Sequence, residues 1–198
     1  MKNIIVTGSN GFIGQNLLTN LSKKNTVYAI SRSNKKKNSK NLIYLSYKEL
    51  SVFLKNDENK IDCFIHTAAI SPSPKITAKN YISSNIILKK KLINLCLRYN
   101  VKNFIFLSSL SIYGEINSSF VDEKTQVINP NSYGLSKLIC ENLIKDNYNK
   151  INYSIIRLPG VIGKNSVRNW LTNLLNDIKK NKDVSIYNPK HKFNNLIH

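Results

Sequence analysis

Eight residues near the amino terminus, Thr7-Gly8-Ser9-Asn10-Gly11-Phe12-Ile13-Gly14, constrain the fold more than any other stretch. They follow a short apolar run, Asn3–Thr7, and lead into a segment, Phe12–Leu21, whose apolar residues recur at helical intervals. A strand that passes through closely spaced glycines straight into a helix needs a tight turn, which Gly8 permits. Gly11 lets the backbone come close to a pyrophosphate, and Gly14 lets the helix pack against the sheet. The N–H groups left over at the helix start suit an anion, so the turn reads as a dinucleotide-binding loop.

The rest of the chain repeats this strand-then-helix order. Apolar runs of strand length occur at Thr26–Ser31, Leu42–Leu45, Cys63–His66, Asn103–Leu107 and Tyr153–Leu158. Helical spacing marks Tyr81–Tyr99 and Tyr133–Tyr148. In the first of these the stripe runs Ile82, Ile86, Lys89, Ile93 and Leu97, with one lysine intruding. Strands that are apolar throughout, such as Phe104-Ile105-Phe106-Leu107, fit a parallel sheet covered on both faces. The fold class is α/β, a doubly wound parallel sheet of the Rossmann type. Ser33–Asn41 and Ser111–Asn131 read as loops. Beyond Val161 the pattern changes to a loop, a helix around Asn169–Lys180 and a short strand at Val184–Tyr187.

Composition excludes several classes. With 198 residues and 41% hydrophobic content, the chain can bury one sizeable core, which argues against disorder or a low-complexity scaffold. No run approaches the roughly 18 apolar residues of a membrane helix, and the start is too short an apolar stretch for a signal peptide, so no membrane association and a cytoplasmic location are expected. Cys63, Cys96 and Cys140 lie far apart within apolar segments, the pattern of buried thiols rather than of a disulfide or a metal site. Thirty basic against 11 acidic residues give a formal charge of +19. The lysines are scattered, and no nucleic-acid-reading motif accompanies them, so no specific nucleic-acid partner is expected; the charge still attracts a diphosphate-bearing ligand.

Three further features carry chemistry. The second strand ends in Ile30-Ser31-Arg32-Ser33, where an NAD-preferring site places an acidic residue; a guanidinium there suits a 2′-phosphate and points to NADP(H) over NAD(H). Tyr133 and Lys137 stand four residues apart on a helix, which puts phenol and ammonium on one face. A neighbouring ammonium favours the phenolate, so the pair is expected to lower the phenol's pKa and act as a proton-transfer device. Ser108, Ser109 and Ser111 sit at the end of the Asn103–Leu107 strand, the edge at which such sheets bind ligands.

Together these elements resemble the extended short-chain dehydrogenase/reductase family of nucleotide-sugar epimerases, dehydratases and reductases. The resemblance covers essentially the whole chain. It includes His66-Thr67-Ala68-Ala69, similar to the family's His-x-Ala-Ala, and Asn85 opening a helix as in its Asn-Val-x-Gly-Thr segment. It continues through Asn129-Pro130-Asn131-Ser132-Tyr133-Gly134-Leu135-Ser136-Lys137 and Arg157-Leu158-Pro159-Gly160-Val161-Ile162-Gly163. The resemblance implies an epimerase or ketoreductase acting on a nucleotide-activated sugar. Tyr133 would exchange a proton with the sugar oxygen as hydride moves, Ser109 would hydrogen-bond that oxygen, and Lys137 would hold the nicotinamide ribose. Gly8, Asn10, Gly11, Phe12, Ile13, Gly14, Arg32, Ala68, Ala69, Asn85, Tyr133, Lys137 and Pro159 would line the cofactor. His66 receives no catalytic role. A homodimer is implied through a four-helix bundle built from Tyr81–Tyr99 and Tyr133–Tyr148 of two chains.

Departures from the family pattern sharpen this. Leu110-Ser111 stand where the dehydratases carry an Asp-Glu pair, which argues against dehydration. Asn85 is followed by Ile-Ile-Leu-Lys rather than by the small Gly-Thr ending, Ser46-Tyr47 replace an acidic residue that meets adenine, and Gly160 stands where many epimerases have Asn. Family chains run longer, so residues 1–160 are expected to form the dinucleotide-binding domain and 161–198 the start of a truncated, rudimentary substrate lobe. The second reading is accordingly a catalytically impaired NADP-binding module, with weak affinity for nucleotide sugars and an exposed apolar strip.

Overall fold

A computed structural model describes residues 1–32, 37–56, 59–147, 149–163, 166, 170–185 and 196–198. The chain divides into two compact units, Met1–Arg157 and Leu158–His198. The first is built on a parallel sheet of β1 (Asn3–Thr7), β2 (Thr26–Ser31), β3 (Leu42–Ser46), β4 (Cys63–His66), β5 (Asn103–Ser109) and β6 (Asn152–Leu158). Their order is β3-β2-β1-β4-β5-β6, so β1 lies between β2 and β4 and the winding reverses at its side. Register follows directly, with Thr7 opposite Ile30 on one side and His66 on the other. β1 and β2 are buried almost end to end, as strands covered on both faces must be.

The sheet is flanked by α1 (Phe12–Leu21), α2 (Tyr47–Phe53), α3 (Ala78–Tyr81), α4 (Leu88–Arg98) and α5 (Ser132–Lys145). One core joins Ile5, Leu50, Phe64, Leu92, Phe104, Phe106 and Ile144; on the other face Val6, Leu18, Val27 and Ile65 form a second. At roughly 25 cal/mol per Å² of apolar surface removed from water, these two layers supply the dominant favourable contribution to folding. Among the described residues no helix is long and apolar enough to cross a membrane.

Six expected strands are present to within two residues, and α1 has the expected bounds. Elsewhere the structure departs from the sequence reading. α2 is a helix that the apolar pattern does not announce, and Ser46 caps it: its hydroxyl accepts from Glu49 N at 3.2 Å while the Glu49 carboxylate accepts from Ser46 N at 2.6 Å. This also consumes the Ser46 side chain, set against adenine in the sequence reading. The single helix expected over Tyr81–Tyr99 starts at Ala78 and is interrupted by a π-helical segment, Ile82–Ile87, between α3 and α4. An extra residue per turn shifts the apolar stripe, so Ile82 is 51% exposed while Tyr81, Asn85, Lys89, Leu92, Ile93 and Cys96 face inward. α5 starts at Ser132 because Asn131 caps it, accepting from Gly134 N at 2.9 Å, and it ends at Lys145.

The loop expected over Ser111–Asn131 begins with a 3₁₀ turn, Leu110–Ile112, and is pinned by a bridge between Gly114 and Ile128. In the second unit, β7 (Gly160–Val161) pairs in parallel with β8 (Leu196–Ile197), and α6 (Trp170–Lys179) lies between them in sequence. Neither short strand was expected. Val184 and Ser185 are not strand, and the remainder of that expected element lies outside the described residues, as does most of the Ser33–Asn41 loop's first half.

Candidate active site

The C-terminal ends of β1, β2, β4 and β5 meet at one edge. Gly8 leaves β1 with φ +73°, and a Cβ there would collide with the Thr67 side chain and the Ala68 backbone, so the loop and the segment after β4 are in close contact. Thr67 Oγ1 donates to Thr7 O at 2.7 Å, and Thr7 Oγ1 lies 2.6 Å from His66 Nδ1. Burial holds the His66 imidazole well below its ordinary range, with the charges of Lys89 and Lys137 adding to the effect. His66 is thus a neutral strap between strand ends. A Cβ at Gly14 would overlap the Gly8 carbonyl, which is the close helix approach expected of that glycine.

Ser9 was missed by sequence reasoning. It is fully buried, and both its hydroxyl and its N–H donate to Ile30 O, at 3.0 and 3.3 Å, fixing the glycine loop to the end of β2. α1 carries no side-chain cap at Gly11 and no acidic residue in its first turn. A Cβ at Gly11 would meet only the Gly8 carbonyl, at 3.2 Å, and otherwise open space. An uncapped helix start beside open space, on a strongly basic chain, fits a dinucleotide's pyrophosphate.

Arg32 is exposed just past β2, and its charge reaches Tyr47 at the head of α2. Burial drives the Tyr47 phenol up to about 12, opposed by a hydrogen bond with Thr7 and by Arg32. Arg32, Tyr47 and Thr7 therefore share the corner beside the glycine loop. Asn85, expected to line the cofactor, has partners within the protein. Its carbonyl accepts from Ile70 N at 2.9 Å and its amide donates to Ser136 Oγ at 3.1 Å, so this buried side chain ties the segment after β4 to α5. The π-helical segment aims it there. Pro159 belongs to the second unit.

Ser109, Tyr133 and Lys137 come together at the end of β5. Ser109 caps the 3₁₀ turn, accepting from Ser111 N at 3.1 Å. Gly134 lets α5 press onto that turn, since a Cβ there would overlap the Ser111 carbonyl oxygen. Tyr133 consequently engages Ser109, while its ring packs at 5.9 Å on Tyr81. Lys137 is 3% exposed; its Nζ donates to Leu107 O at 2.7 Å and stands 5.8 Å from the centre of the Tyr133 ring.

The titration of this cluster corrects one expectation. Burial pushes the Tyr133 phenol up to about 12, and hydrogen bonding with Ser109 only partly offsets this, where the sequence reading had the phenol's pKa lowered by Lys137. Lys137 is turned onto a carbonyl and an aromatic face, which leaves the phenol to burial, and Tyr81 adds to the rise. Burial also brings Lys137 down to about 8, with Cys140 and Glu141 working against it.

Behind the cluster lies an ion pair that the sequence did not announce. Arg157 on β6 grips Glu141 through two hydrogen bonds, Nε to Oε1 at 3.1 Å and Nη2 to Oε2 at 2.7 Å. Its Nη1 donates to the Tyr113 hydroxyl at 2.6 Å, which donates in turn to Asp122 O at 2.6 Å. The Glu141 side chain is completely buried. Burial pushes its carboxyl up, but the hydrogen bonds and charge of Arg157, helped by Lys145, outweigh it and leave the net shift downward.

A Rossmann sheet with an uncapped, glycine-lined helix start and a Ser-Tyr-Lys cluster at one strand edge defines the class. A model of the NAD dependent epimerase/dehydratase family matches residues 4–195, and the chain belongs to that family. It is 40% identical over 95 residues to a UDP-glucose 4-epimerase of Caenorhabditis elegans, covering 45% of this chain and 27% of that one. It is 26% identical to an ADP-L-glycero-D-manno-heptose-6-epimerase of Brachyspira hyodysenteriae across 96% of this chain and 66% of the other. Among solved structures it resembles UDP-glucuronic acid 4-epimerase from Bacillus cereus in complex with UDP-glucuronic acid and NAD. The TM-score is 0.81 at 25% identity, over 94% of this chain and 66% of that one. The chain thus spans between 27% and 66% of the length of these three proteins.

Replacing Glu141 by Ala leaves Arg157 half-buried without its partner and is expected to cost about 3–5 kcal/mol in urea unfolding at pH 7. A carboxyl whose folded pKa is depressed stabilises above its unfolded pKa, and loses that contribution as pH falls through the folded value. The gap between wild type and Glu141→Gln should therefore narrow on acidification below about pH 4.

Proposed function

We propose that this chain is a nicotinamide-dinucleotide-dependent epimerase of nucleotide-activated sugars. The observation that carries the reading is the convergence of Ser109, Tyr133 and Lys137 beside an uncapped, glycine-lined helix start. The UDP- and ADP-sugar epimerases among its relatives support the substrate class. Gly8, Asn10, Gly11, Phe12, Ile13 and Gly14 would line the pyrophosphate, with Ala68 and Ala69 along the neighbouring wall. Asn85 acts through the protein, as a positioning residue between that wall and α5.

A bound nicotinamide dinucleotide supplies hydride acceptance and return. The remaining work falls to the chain's own side chains. Tyr133 Oη takes the proton of the sugar hydroxyl when that carbon is oxidised and gives it back on reduction. Ser109 Oγ hydrogen-bonds the same sugar oxygen and holds it against Tyr133. With its phenol held at about 12, Tyr133 is protonated at neutral pH and needs a nearby positive charge to act as a base. Lys137, a cation below about pH 8, is that charge, and on turning from Leu107 O it also reaches the ribose. Tyr133→Phe keeps the ring's packing and deletes the proton. It should retain cofactor affinity in calorimetry and lose about 10²–10⁴ in turnover on UDP-sugars, and a fully active variant would remove this mechanism.

Arg32 supports NADP(H) over NAD(H), in contrast to the NAD of the Bacillus cereus neighbour, because an exposed guanidinium past β2 suits a 2′-phosphate. Arg32→Asp should reverse the preference, and equal NADH and NADPH binding by wild type would make Arg32 a loop cation only.

A second copy of the chain is the proposed partner. Ile82 and Ile87 on one helix, with Leu135 and Ile139 on its neighbour α5, are between 37% and 51% exposed. Two such pairs bury these side chains in a four-helix bundle. Sedimentation at micromolar concentration should give a dimer that Leu135→Asp dissociates; a wild-type monomer would contradict the proposal.

A further inference from the structure

Lys89, the residue that intrudes on the apolar stripe, has no role in the mechanism above. Its side chain is wholly buried, and its Nζ has no hydrogen-bond partner. The nitrogen stands over the Phe106 ring, 2.8 Å from its centre, and 5.5 Å from that of Phe104. Lys137 Nζ lies over the same Phe106 ring at 4.7 Å. Two amines from two helices thus share one aromatic side chain in a buried layer, and of the two only Lys137 has a hydrogen-bond acceptor, Leu107 O.

Like charges that close in a medium of low dielectric repel strongly, and an unpartnered ammonium is costly to bury. The titratable groups around Lys89 offset this only in part: burial dominates, Cys140, Cys96 and Glu141 oppose it, and Lys137 adds to it. β4 presents His66, which is itself neutral. α4 adds the Cys96 thiol, which burial keeps protonated, and α5 adds Cys140, Lys137 and Glu141, the last already engaged by Arg157. Burial, with Lys137 contributing, holds Lys89 well below the ordinary lysine range.

We propose that Lys89 and Lys137 form a buried amine pair that carries one proton, on Lys137, and that Lys89 is thereby a positioning residue for the Ser109–Tyr133–Lys137 cluster. While Lys89 is neutral it lies on the Phe106 ring and leaves Lys137 charged. When Lys89 gains a proton, Lys137 is pushed from its place. The pairing rests on geometry; its consequence for the cluster rests on the function proposed above.

A thermal-unfolding double-mutant cycle of wild type, Lys89→Met, Lys137→Met and the double variant, measured from pH 5 to 10, tests the pair without cofactor. A base that is harder to protonate in the folded chain destabilises most at low pH, and the penalty disappears above the unfolded lysine value. Lys89→Met should therefore raise Tm at pH 7 by at least about 3 °C, with the gain fading towards pH 10. In the Lys137→Met background the gain should shrink on the acid side, because Lys89 can then keep its proton. Lys89→Thr, a smaller neutral residue, should behave alike if Met fits poorly. Equal gains in both backgrounds at every pH, or destabilisation by both neutral substitutions, would overturn the pair.

Fluorescence titration with NADPH tests the positioning role. Wild type should lose affinity on acidification by up to about tenfold per pH unit, and Lys89→Met should stay nearly flat. Parallel losses in the two proteins would overturn the role. Absence of NADPH binding at any pH would defeat the functional reading and the positioning role with it, while the unfolding cycle still decides whether the amines share a proton.

Discussion

The structure depends on the central place of β1. Because Asn3–Thr7 pairs in parallel with β2 on one side and β4 on the other, the winding reverses at its edge. The chain leaves β1 and β4 on opposite sides of one crevice, where an open parallel sheet binds ligands. Gly8 turns the chain there, and His66 and Thr67 tie the neighbouring strand to it. The wall then passes through Asn85 to Ser136, one residue before Lys137. The glycine loop and the Ser-Tyr-Lys cluster are in this way parts of one hydrogen-bonded frame.

Charge within the frame is handled in two ways. Glu141 and Arg157 meet with matched geometry and satisfy one another, so the pair survives burial although its net contribution to stability is modest. Lys89 and Lys137 have no such match. They share Phe106, and one of them must give up its charge. A local rule broken in the core, next to the proposed Ser109–Tyr133–Lys137 site, is where function is expected to outweigh stability.

Much of this was legible in the sequence, for stated reasons. Apolar runs of strand length marked all six strands, β1, β2 and β4 most clearly because they are covered on both faces, and the glycine spacing marked both the turn and the start of α1. Ser46-Tyr47-Lys48-Glu49 held the Ser-x-x-Glu capping signal for α2, which went unread. The π-helical segment left no such trace, because periodicity assumes a constant turn, and a one-residue shift turned Ile82 outward. Tyr133 and Lys137 were correctly placed on one face, but how deeply the phenol is buried depends on Tyr81 and on the approach at Gly134. Desolvation of that kind is set by tertiary packing, which four residues of spacing do not encode. β7 and β8, two residues each, are too short to carry a pattern.

Amide chemical shifts of the isotope-labelled chain, followed during titration with NADPH, test the central claim most directly. The account predicts saturable shifts that cluster at Gly8–Gly14, at Thr67–Ala69 and around Ser109, Tyr133 and Lys137, since these share one strand edge. Shifts confined to other surfaces, or none at millimolar dinucleotide, would contradict it.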